Sequence, residues 1–448
     1  MTAGDKLFWV WLSEALGAAS RDFRRLIGLY ESPYDLFHAE EAEIERIEGL
    51  SPRTVEALAN KDLEHASSIL KSCERLNVGI LPYGDMAFPR ALRELERPPV
   101  LLYYCGTLPD FNERLCIGMV GTRRMSAYGL RSAYRFSYEL ALTDAVVVSG
   151  MAAGIDGVCA AAALAAKGTT VAVLGCGVDV VYPRHHAVLK DEIVRRGVLI
   201  SEYPPGTRPN HYHFPTRNRL ISGLSQGTVV VEAGLGSGSL ITAKDAILQG
   251  RDVFAIPANV GSEGAAGTNG LLRDGANLAL SVKDILDRYQ YVYADALHIE
   301  RLQKISSDAP SVDYEYLERM GVIELTRKAE QGTAVGAAPA REAPRKKSAA
   351  KAASERTATK TKSPDKQAAA RDLPSAPKTA REKTPDEVLS SLPSIQRTIL
   401  EAMPDDRAVT VDSLTGLGYS YGDMIAALTM LEILGLIQKL PGALYMKT

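Results

Sequence analysis

The sequence predicts an α/β fold. An extended Rossmann-like parallel sheet forms the core, with a small helical domain before it and a winged-helix domain after it. Between residues 114 and 290, short strands that are apolar on both faces alternate with amphipathic helical segments. That alternation is typical of a parallel sheet covered on both sides. Small-residue loops follow several of these strands, at the edge where such sheets bind ligands.

Length, charge and cysteine content narrow the class of protein. The 448 residues are enough for two to four domains. The formal net charge of −2 gives no overall basic character, so a nucleic-acid-binding surface must be local. The five cysteines include no C-x-x-C pair, which argues against a disulfide framework or a zinc ribbon. No apolar run reaches the about 20 residues that cross a bilayer. We therefore expect a cytoplasmic protein without a membrane segment, metal or cofactor.

Residues 1–75 predict a small helical domain that resembles SAM or helix-hairpin-helix folds. The segment Ile47–Leu58 reads I-E-G-L-S-P-R-T-V-E-A-L. Gly49 suits a tight turn, Ser51 a helix cap and Pro52 the first helical position. In helix-hairpin-helix motifs the N–H groups of the turn hold a DNA phosphate. A helical bundle that only packs is the alternative that the sequence favours.

Residues 76–113 form a proline-containing connector with a strand at Val100–Tyr104, and the sheet follows. The predicted strands are Leu115–Val120, Ala145–Ser149, Thr170–Leu174, Gly197–Ser201, Thr228–Glu232 and Asp252–Ile256. The predicted helices are Ser126–Leu142, Ile155–Lys167, Ala187–Arg196, Arg217–Leu224 and Leu240–Gln249.

The segment from His211 to Thr242 combines three kinds of chemistry. Phe214 offers an aromatic face, Arg217 and Arg219 offer positive charge, and small residues lead from an apolar strand into a helix. Free N–H groups at such a helix start bind anions. An aromatic platform beside cations and a phosphate cradle suits a nucleotide chain. Because an unpaired guanidinium is costly in a core, the two arginines predict that Phe214 is not deeply buried.

The predicted DNA-binding residues come from this segment and from two loops at the same sheet edge. The full set is Gly121, Thr122, Arg123, Ser126, Gly150, Gly154, His211, Phe214, Arg217, Asn218, Arg219, Ser237, Gly238, Ser239 and Thr242. Each feature has a structural alternative. The glycine loops resemble ordinary tight turns, and Ser237 to Ser239 resemble a helix cap. Asp156 suits either a helix cap or the binding of a ribose hydroxyl, and the cap is favoured. Glu232 suits a structural arginine partner better than a general base.

The chain after the sheet changes composition twice. Residues 291–326 predict a helical extension. Residues 327–386 are rich in Ala, Lys, Arg, Pro, Ser and Thr and lack aromatic residues, which predicts a disordered basic linker. Residues 387–448 regain helical periodicity and end in a hairpin pattern, which predicts a winged helix. Its third helix, Tyr421–Leu434, has few basic residues, so protein binding is at least as plausible there as DNA binding.

The central domain resembles the DNA processing protein A family (DprA, also called Smf). The phrases that carry the resemblance are V-G-T-R-R-M-S-A-Y-G at Val120, S-G-M-A-A-G-I-D at Ser149, V-L-G-C-G-V-D-V-V-Y-P at Val173, S-E-Y-P-P-G-T-R-P at Ser201, H-F-P-T-R-N-R-L-I-S-G-L at His213, V-V-V-E-A at Val229, S-G-S-L-I-T-A at Ser237 and G-T-N-G-L-L at Gly267. The resemblance implies a binding protein and not an enzyme. Members of the family bind and protect single-stranded DNA, help load the RecA recombinase in natural transformation, and act as dimers.

The resemblance also implies roles for particular residues. Arg123 would hold a phosphate, Phe214 would stack on a base, and Arg217 would hold backbone charge. His211 stands where the family often has a lysine, which implies weaker or more pH-dependent binding. The implied dimer surface is Leu271–Leu280, with Leu271 and Leu278 as its contacts.

Two other functions stay open at this point. Related folds include phosphoribohydrolases, but their P-G-G-x-G-T-x-x-E phrase is absent and Glu232 is the only plausible catalytic carboxylate. A regulator that reads duplex DNA through the winged helix is the second alternative.

Overall fold

The computed structural model describes residues 3–303, 311–324, 336–337, 394–404, 409–419, 424, 427–428, 431, 436–440 and 444–447. The chain divides into two compact units, Met1–Lys347 and Ser348–Thr448. Within the described residues, no helix is both long enough and apolar enough to cross a membrane.

Six helices precede the sheet. They are Ala3–Leu16 (α1), Phe23–Leu29 (α2), Pro33–His38 (α3), Glu41–Glu45 (α4), Pro52–Ala59 (α5) and Glu64–Leu76 (α6). The predicted cap is present, because the Ser51 side chain accepts the N–H of Thr54 at 3.2 Å and Pro52 begins α5. Gly49 adopts a φ of +78° in the turn. The N–H of Ser51 donates to the Asp22 carboxylate at 3.3 Å, so a side chain of the same unit already occupies this turn.

Nine strands form one sheet in the order β1-β2-β6-β5-β4-β3-β7-β8-β9. They are Gly79–Pro82 (β1), Leu101–Gly106 (β2), Cys116–Val120 (β3), Val146–Ser149 (β4), Thr170–Leu174 (β5), Val198–Ser201 (β6), Gly227–Val230 (β7), Asp252–Ala255 (β8) and Asn277–Leu278 (β9). Strands β3 to β9 pair in parallel, whereas β2 pairs antiparallel with both β1 and β6. The central strands β3, β4 and β5 are buried throughout, as apolar runs in a covered sheet require.

Helices cover both faces of the sheet. They are Arg90–Arg93 (α7), Ala127–Leu142 (α8), Ile155–Ala165 (α9), Ala187–Arg196 (α10), His213–Leu224 (α11), Ser239–Leu248 (α12), Ala266–Arg273 (α13) and Val282–Leu286 (α14). Buried residues of α8, α9 and α10 join one core cluster, and those of α11 and α12 join the other. The prediction of Ala187–Arg196 is confirmed at both ends. The helix predicted to begin at Arg217 begins at His213, so Phe214 lies in its first turn.

Short elements follow in the first unit. They are Glu300–Gln303 (α15), Tyr314–Arg319 (α16), Ile323–Glu324 (β10) and Gly336–Ala337 (β11), and β10 pairs with β11. Apart from those two residues of β11, the predicted linker 327–386 lies outside the described residues.

The second unit contains the helix Ser394–Ala402 (α17) and the strands Val409–Thr410 (β12), Ile437–Leu440 (β13) and Leu444–Lys447 (β14). The order β12-β14-β13 makes the predicted hairpin part of a three-stranded sheet. A short 3-10 helix, Val411–Leu417, follows β12. Most of the predicted third helix, Tyr421–Leu434, lies outside the described residues. Its described members, Met424, Ala427, Leu428 and Leu431, are buried.

Candidate nucleic-acid interface

The candidate site lies where the strand order reverses. The chain proceeds from β3 to β6 in one direction and returns to place β7 on the other side of β3. Ligands of open parallel sheets bind at the carboxyl ends of the strands beside such a switch point. A cavity of about 740 Å³ opens there, and we call it the rim groove. The predicted residues that line it are Gly121, Thr122, Arg123, His211, Phe214, Arg217, Asn218, Ser237, Gly238, Ser239 and Thr242.

An arginine and two aromatic rings meet in the rim groove. The guanidinium carbon of Arg123 lies 5.4 Å from the centroid of the Phe214 ring. The Tyr182 ring lies 5.3 Å from that of Phe214, with 27° between their planes. Phe214 is partly buried, and Arg123 is exposed. The pair therefore leaves aromatic surface and a positive charge at the same place, which suits a base and its phosphate.

Tyr182 is a lining residue that the sequence reasoning missed. A signal for it exists, because Tyr182 precedes a proline just as Phe214 does. Both lie after apolar strands of the sheet. Leu235, which is 77% exposed, also lines the groove and was not predicted.

Arg217 lines the groove but is only 4% exposed. Its guanidinium donates to the carbonyl oxygen of Gly150 at 2.9 Å and to that of Val173. Backbone carbonyls satisfy the donors of Arg217 and so allow its burial, while Phe214 is only partly buried, as the sequence predicts. Burial lowers its pKa, while the nearby Asp156 carboxylate favours the charged form. Arg217 therefore holds the strand ends of the groove together.

Asp156 balances this buried charge. Its carboxylate accepts backbone N–H groups of Gly150 and Ala152, and the side chain is 7% exposed. Burial raises its pKa, and the charges of Arg217 and Arg123 oppose that rise. Asp156 lies inside α9, where Gly154 is the residue before the first turn. The predicted cap role is therefore wrong, because the side chain binds the loop before the helix.

The loop after β7 forms the second part of the groove. The helix α12 begins at Ser239, and its first turn has no side-chain cap. The hydroxyls of Ser237 and Ser239 lie 2.8 Å apart. Asn218 of α11 donates to the carbonyl oxygen of Gly238 at 3.4 Å. The N–H groups of Leu240 and Ile241 donate to the carbonyl oxygens of Ser237 and Gly238, which leaves the N–H of Ser239 to donate to an anionic oxygen.

Three predicted residues shape the groove without lining it. Gly154 adopts a φ of +83°, and a Cβ there would lie 2.7 Å from the carbonyl oxygen of Arg123. A side chain on Gly150 would meet the Arg217 guanidinium at 2.5 Å. Ser126 caps α8 by accepting the N–H of Gly129 at 3.0 Å. These residues allow the close approach of the loops.

The structure does not bring Arg219 into the groove. Its guanidinium donates to the Glu202 carboxylate at 2.5 Å, and both side chains are almost buried. Arg219 lines a separate cavity together with Arg97 and Arg251. Successive residues of a helix turn by about 100°, so a residue two positions after Arg217 points to nearly the opposite side. The prediction of Arg219 as a groove residue is therefore wrong.

Glu232 is held in a structural position. Its carboxylate accepts the N–H of Ser126 at 2.9 Å, and the residue is 6% exposed. The expected arginine partner is replaced by this backbone group. Glu232 is not among the residues that line the rim groove. Within the part of the chain that the structure describes, no three His, Cys, Asp or Glu residues are placed to hold a metal ion.

Fold and site together define a Rossmann-like α/β protein with a cationic, aromatic groove at the switch point of its sheet. The family model described as DNA recombination-mediator protein A matches residues 79–290. The DNA processing protein DprA of Bacillus subtilis is 38% identical over 219 residues, which are 49% of this chain and 74% of that protein. That of Streptococcus pneumoniae is 41% identical over 207 residues, which are 46% of this chain and 73% of that protein.

The crystal structure of DprA from Streptococcus pneumoniae is similar to this fold. It has a TM-score of 0.51 and 37% identity, and the match covers 56% of this chain and 87% of that one. The chain belongs to the DNA processing protein A (DprA/Smf) family.

Proposed function

We propose that the protein binds single-stranded DNA in the rim groove. The observation that carries the proposal is the position of Arg123 over the Phe214 ring, with Tyr182 beside it. Stacking of bases on aromatic rings is worth about 1–3 kcal/mol per base and tolerates any sequence. An unpaired strand exposes its bases for such stacking, whereas a duplex keeps them paired. The uncapped start of α12 supplies a place for a phosphate beside the rings.

In the cell this binding serves DNA processing and recombination. The matching family model is described as a recombination mediator, and the relatives carry the name DNA processing protein. The family resemblance extends the role to protecting incoming DNA and loading the RecA recombinase in natural transformation. Such a protein acts in the cytoplasm.

The placement of carboxylates favours a binding protein over a phosphoribohydrolase. Cleavage of a glycosidic bond needs a carboxylate that faces the bound nucleotide. Glu232 instead accepts a backbone N–H away from the groove lining. Asp156 lines the groove, but its carboxylate is engaged with two backbone N–H groups. Release of free base from a nucleoside monophosphate would contradict this view.

We also propose a homodimer that forms at the β9 edge of the sheet. The strand β9 is the last in the sheet order, and an edge strand offers unpaired backbone groups. Leu278 of β9 is 48% exposed and Leu280 is 64% exposed. Leu271 is partly buried against the core, so it contributes less to this surface. Leu278→Arg should lower the apparent mass in analytical ultracentrifugation.

For the two terminal domains we propose only the type of domain. We propose that residues 1–75 form a packing domain of helix-hairpin-helix type, because Asp22 occupies the turn that would hold a phosphate. The three-stranded sheet and the helix α17 support a winged helix in the second unit. Deletion of residues 387–448 followed by single-strand and duplex binding assays tests whether this unit reads DNA.

One titration series tests the main proposal. The assay is an electrophoretic mobility shift. It compares an oligothymidylate with a duplex of equal length, each at two salt concentrations. We expect tighter binding of the single strand, with an affinity that falls steeply with salt. Equal or tighter binding of the duplex by the protein without residues 387–448 would contradict the proposal.

A further inference from the structure

The exposed face of α8 carries a row of basic and aromatic side chains outside the rim groove. Tyr128, Arg131 and Arg135 recur at intervals of three and four residues, which is the spacing of one helix face. Arg124 lies in the loop just before this helix. All four side chains belong to exposed residues, and we call them the α8 stripe.

The α8 stripe borders a second cavity. This cavity of about 430 Å³ lies between α8 and the residues that follow β8 and β9, and Arg131, Arg135 and Leu280 are among its lining residues. The Tyr128 hydroxyl donates to the carbonyl oxygen of Pro257 at 2.8 Å. That hydrogen bond holds the ring in position, while 43% of the residue stays exposed. A fixed, exposed ring between arginines is a platform for a nucleic-acid base.

Two arginines of the stripe have no carboxylate partner among the described residues. Arg135 pairs with Glu139 at 2.8 Å. Arg124 and Arg131 make no ion pair with any residue that the structure describes. The stripe is therefore a local positive surface on a chain whose formal net charge is −2.

The stripe also continues from the rim groove. Arg124 directly follows Arg123, whose guanidinium lies over the Phe214 ring. From Tyr128 to Arg135 the helix rises by about 10 Å. At 3.4 Å for each stacked nucleotide, this length matches about three nucleotides. A strand that left the groove beside Arg123 and followed α8 would meet Arg124, Tyr128 and Arg131 in this order.

We propose that the α8 stripe is a second contact surface for the same DNA strand. Arg124 and Arg131 bind phosphates, and Tyr128 stacks on a base outside the groove. The proposal rests on single-strand binding in the rim groove and adds the path by which a longer strand leaves it. It predicts that affinity depends on strand length.

The test compares a short oligothymidylate of about 6 nucleotides with a long one of about 20. The short strand fits within one usual single-strand binding site, and the long strand extends beyond it. Fluorescence anisotropy gives Kd for the full-length protein at several salt concentrations. The double variant Arg124→Gln/Arg131→Gln should bind the long strand roughly tenfold more weakly and the short strand unchanged. Its salt slope for the long strand should become shallower by about 1.4, the value for two lost phosphate contacts.

Two control variants separate phosphate contact from general charge. Arg195→Gln removes an exposed arginine from α10, a helix that packs against the same core cluster as α8, and should change neither affinity. Arg124→Lys/Arg131→Lys keeps both charges and should restore binding of the long strand. If Arg124→Gln/Arg131→Gln binds the long strand with the affinity and the salt slope of the parent, the proposed role of the α8 stripe is overturned. A change in dimer mass in sedimentation without a change in DNA affinity would overturn it as well.

A failure of the proposed DNA binding in the rim groove would give a different result. Phe214→Ala should weaken both oligonucleotides, because both use the groove. If Phe214→Ala changes neither, the groove assignment fails, while the double variant still decides whether the stripe contacts DNA.

Discussion

Arg123 and Phe214 are far apart in the sequence, yet the guanidinium carbon of Arg123 lies 5.4 Å from the Phe214 ring centroid. The loop after β3 supplies the charge, and the first turn of α11 supplies the ring. Their contact places a cation and an aromatic face together in the rim groove, where we propose that one nucleotide meets both. Variants at the two positions separate what each side chain contributes to binding.

Loss of the ring should weaken DNA binding without unfolding the protein. Phe214→Ala removes the stacking surface, so we expect an oligothymidylate to bind with about 1–3 kcal/mol less free energy. Phe214→Tyr keeps the ring and serves as the matched control. Anisotropy titration measures both, and parental affinity of the alanine variant would show that no base stacks there.

Loss of the Arg123 charge should change the salt dependence of binding. Arg123→Ala removes one phosphate contact, which should make the slope of log affinity against log salt shallower by about 0.7. Arg123→Lys should keep most of that slope while losing planar contact with the ring. The measurement is a titration at four salt concentrations. Equal slopes for the alanine variant and the parent would place the phosphate elsewhere.

Arg217 should behave as a structural residue, unlike Arg123. Arg217→Met leaves the Asp156 carboxylate buried without its cation and leaves two carbonyl oxygens without a donor. We expect the free energy of unfolding to fall by about 3–5 kcal/mol. Arg123→Ala should change it by less than about 0.5 kcal/mol, because that side chain is exposed. Urea unfolding followed by circular dichroism compares the two, and equal losses would contradict the distinction.

Gly154 should tolerate no side chain, for two separable reasons. Its φ of +83° disfavours any L residue, and a Cβ would press on the carbonyl oxygen of Arg123. Gly206 has a φ of +84° with nothing within 4 Å of its Cβ position. Gly206→Ala therefore measures the conformational cost alone, about 1 kcal/mol. Gly154→Ala should cost clearly more and should also weaken DNA binding, and an equal cost would contradict the predicted crowding.

His186 should make stability depend on pH below neutrality. His186 is fully buried beside the loop that follows β4, and its Nδ1 lies 3.1 Å from the carbonyl oxygen of Met151 in that loop. Burial lowers the pKa of His186 to about 4. In the unfolded chain this histidine has a pKa near 6.5. As the pH falls from 6.5 towards 4, the unfolded chain is protonated at His186 while the folded protein is not, so the free energy of unfolding decreases.

The expected loss from this histidine is about 3 kcal/mol once both pKa values have been passed. His186→Asn keeps a polar group near the Met151 carbonyl but does not titrate. Chemical unfolding at pH 7, 6, 5 and 4 should show a smaller acid-induced loss for the variant than for the parent. Parallel losses would mean that other groups cause the acid sensitivity.

Much of the central fold follows from local patterns. Apolar runs such as Thr170–Leu174 have no polar face, so they must lie inside a covered sheet, and the structure confirms this strand at both ends. The Ser51-Pro52 pair and the loop before α8 likewise carry their own helix signals. Charge and aromatic residues near the strand ends then indicated the edge of the sheet where the groove lies.

By itself, the sequence determined the parallel sheet, the edge that carries the groove and half of the residues that line it. Only the tertiary structure decided which of two neighbouring arginines faces the groove, because that depends on where α11 begins. It also decided that Arg217 is buried and that Tyr182 joins Phe214. The physical reason is that hydrogen-bond partners such as the carbonyls of Gly150 and Val173 come from strands distant in the sequence. A local sequence pattern therefore cannot predict these partners.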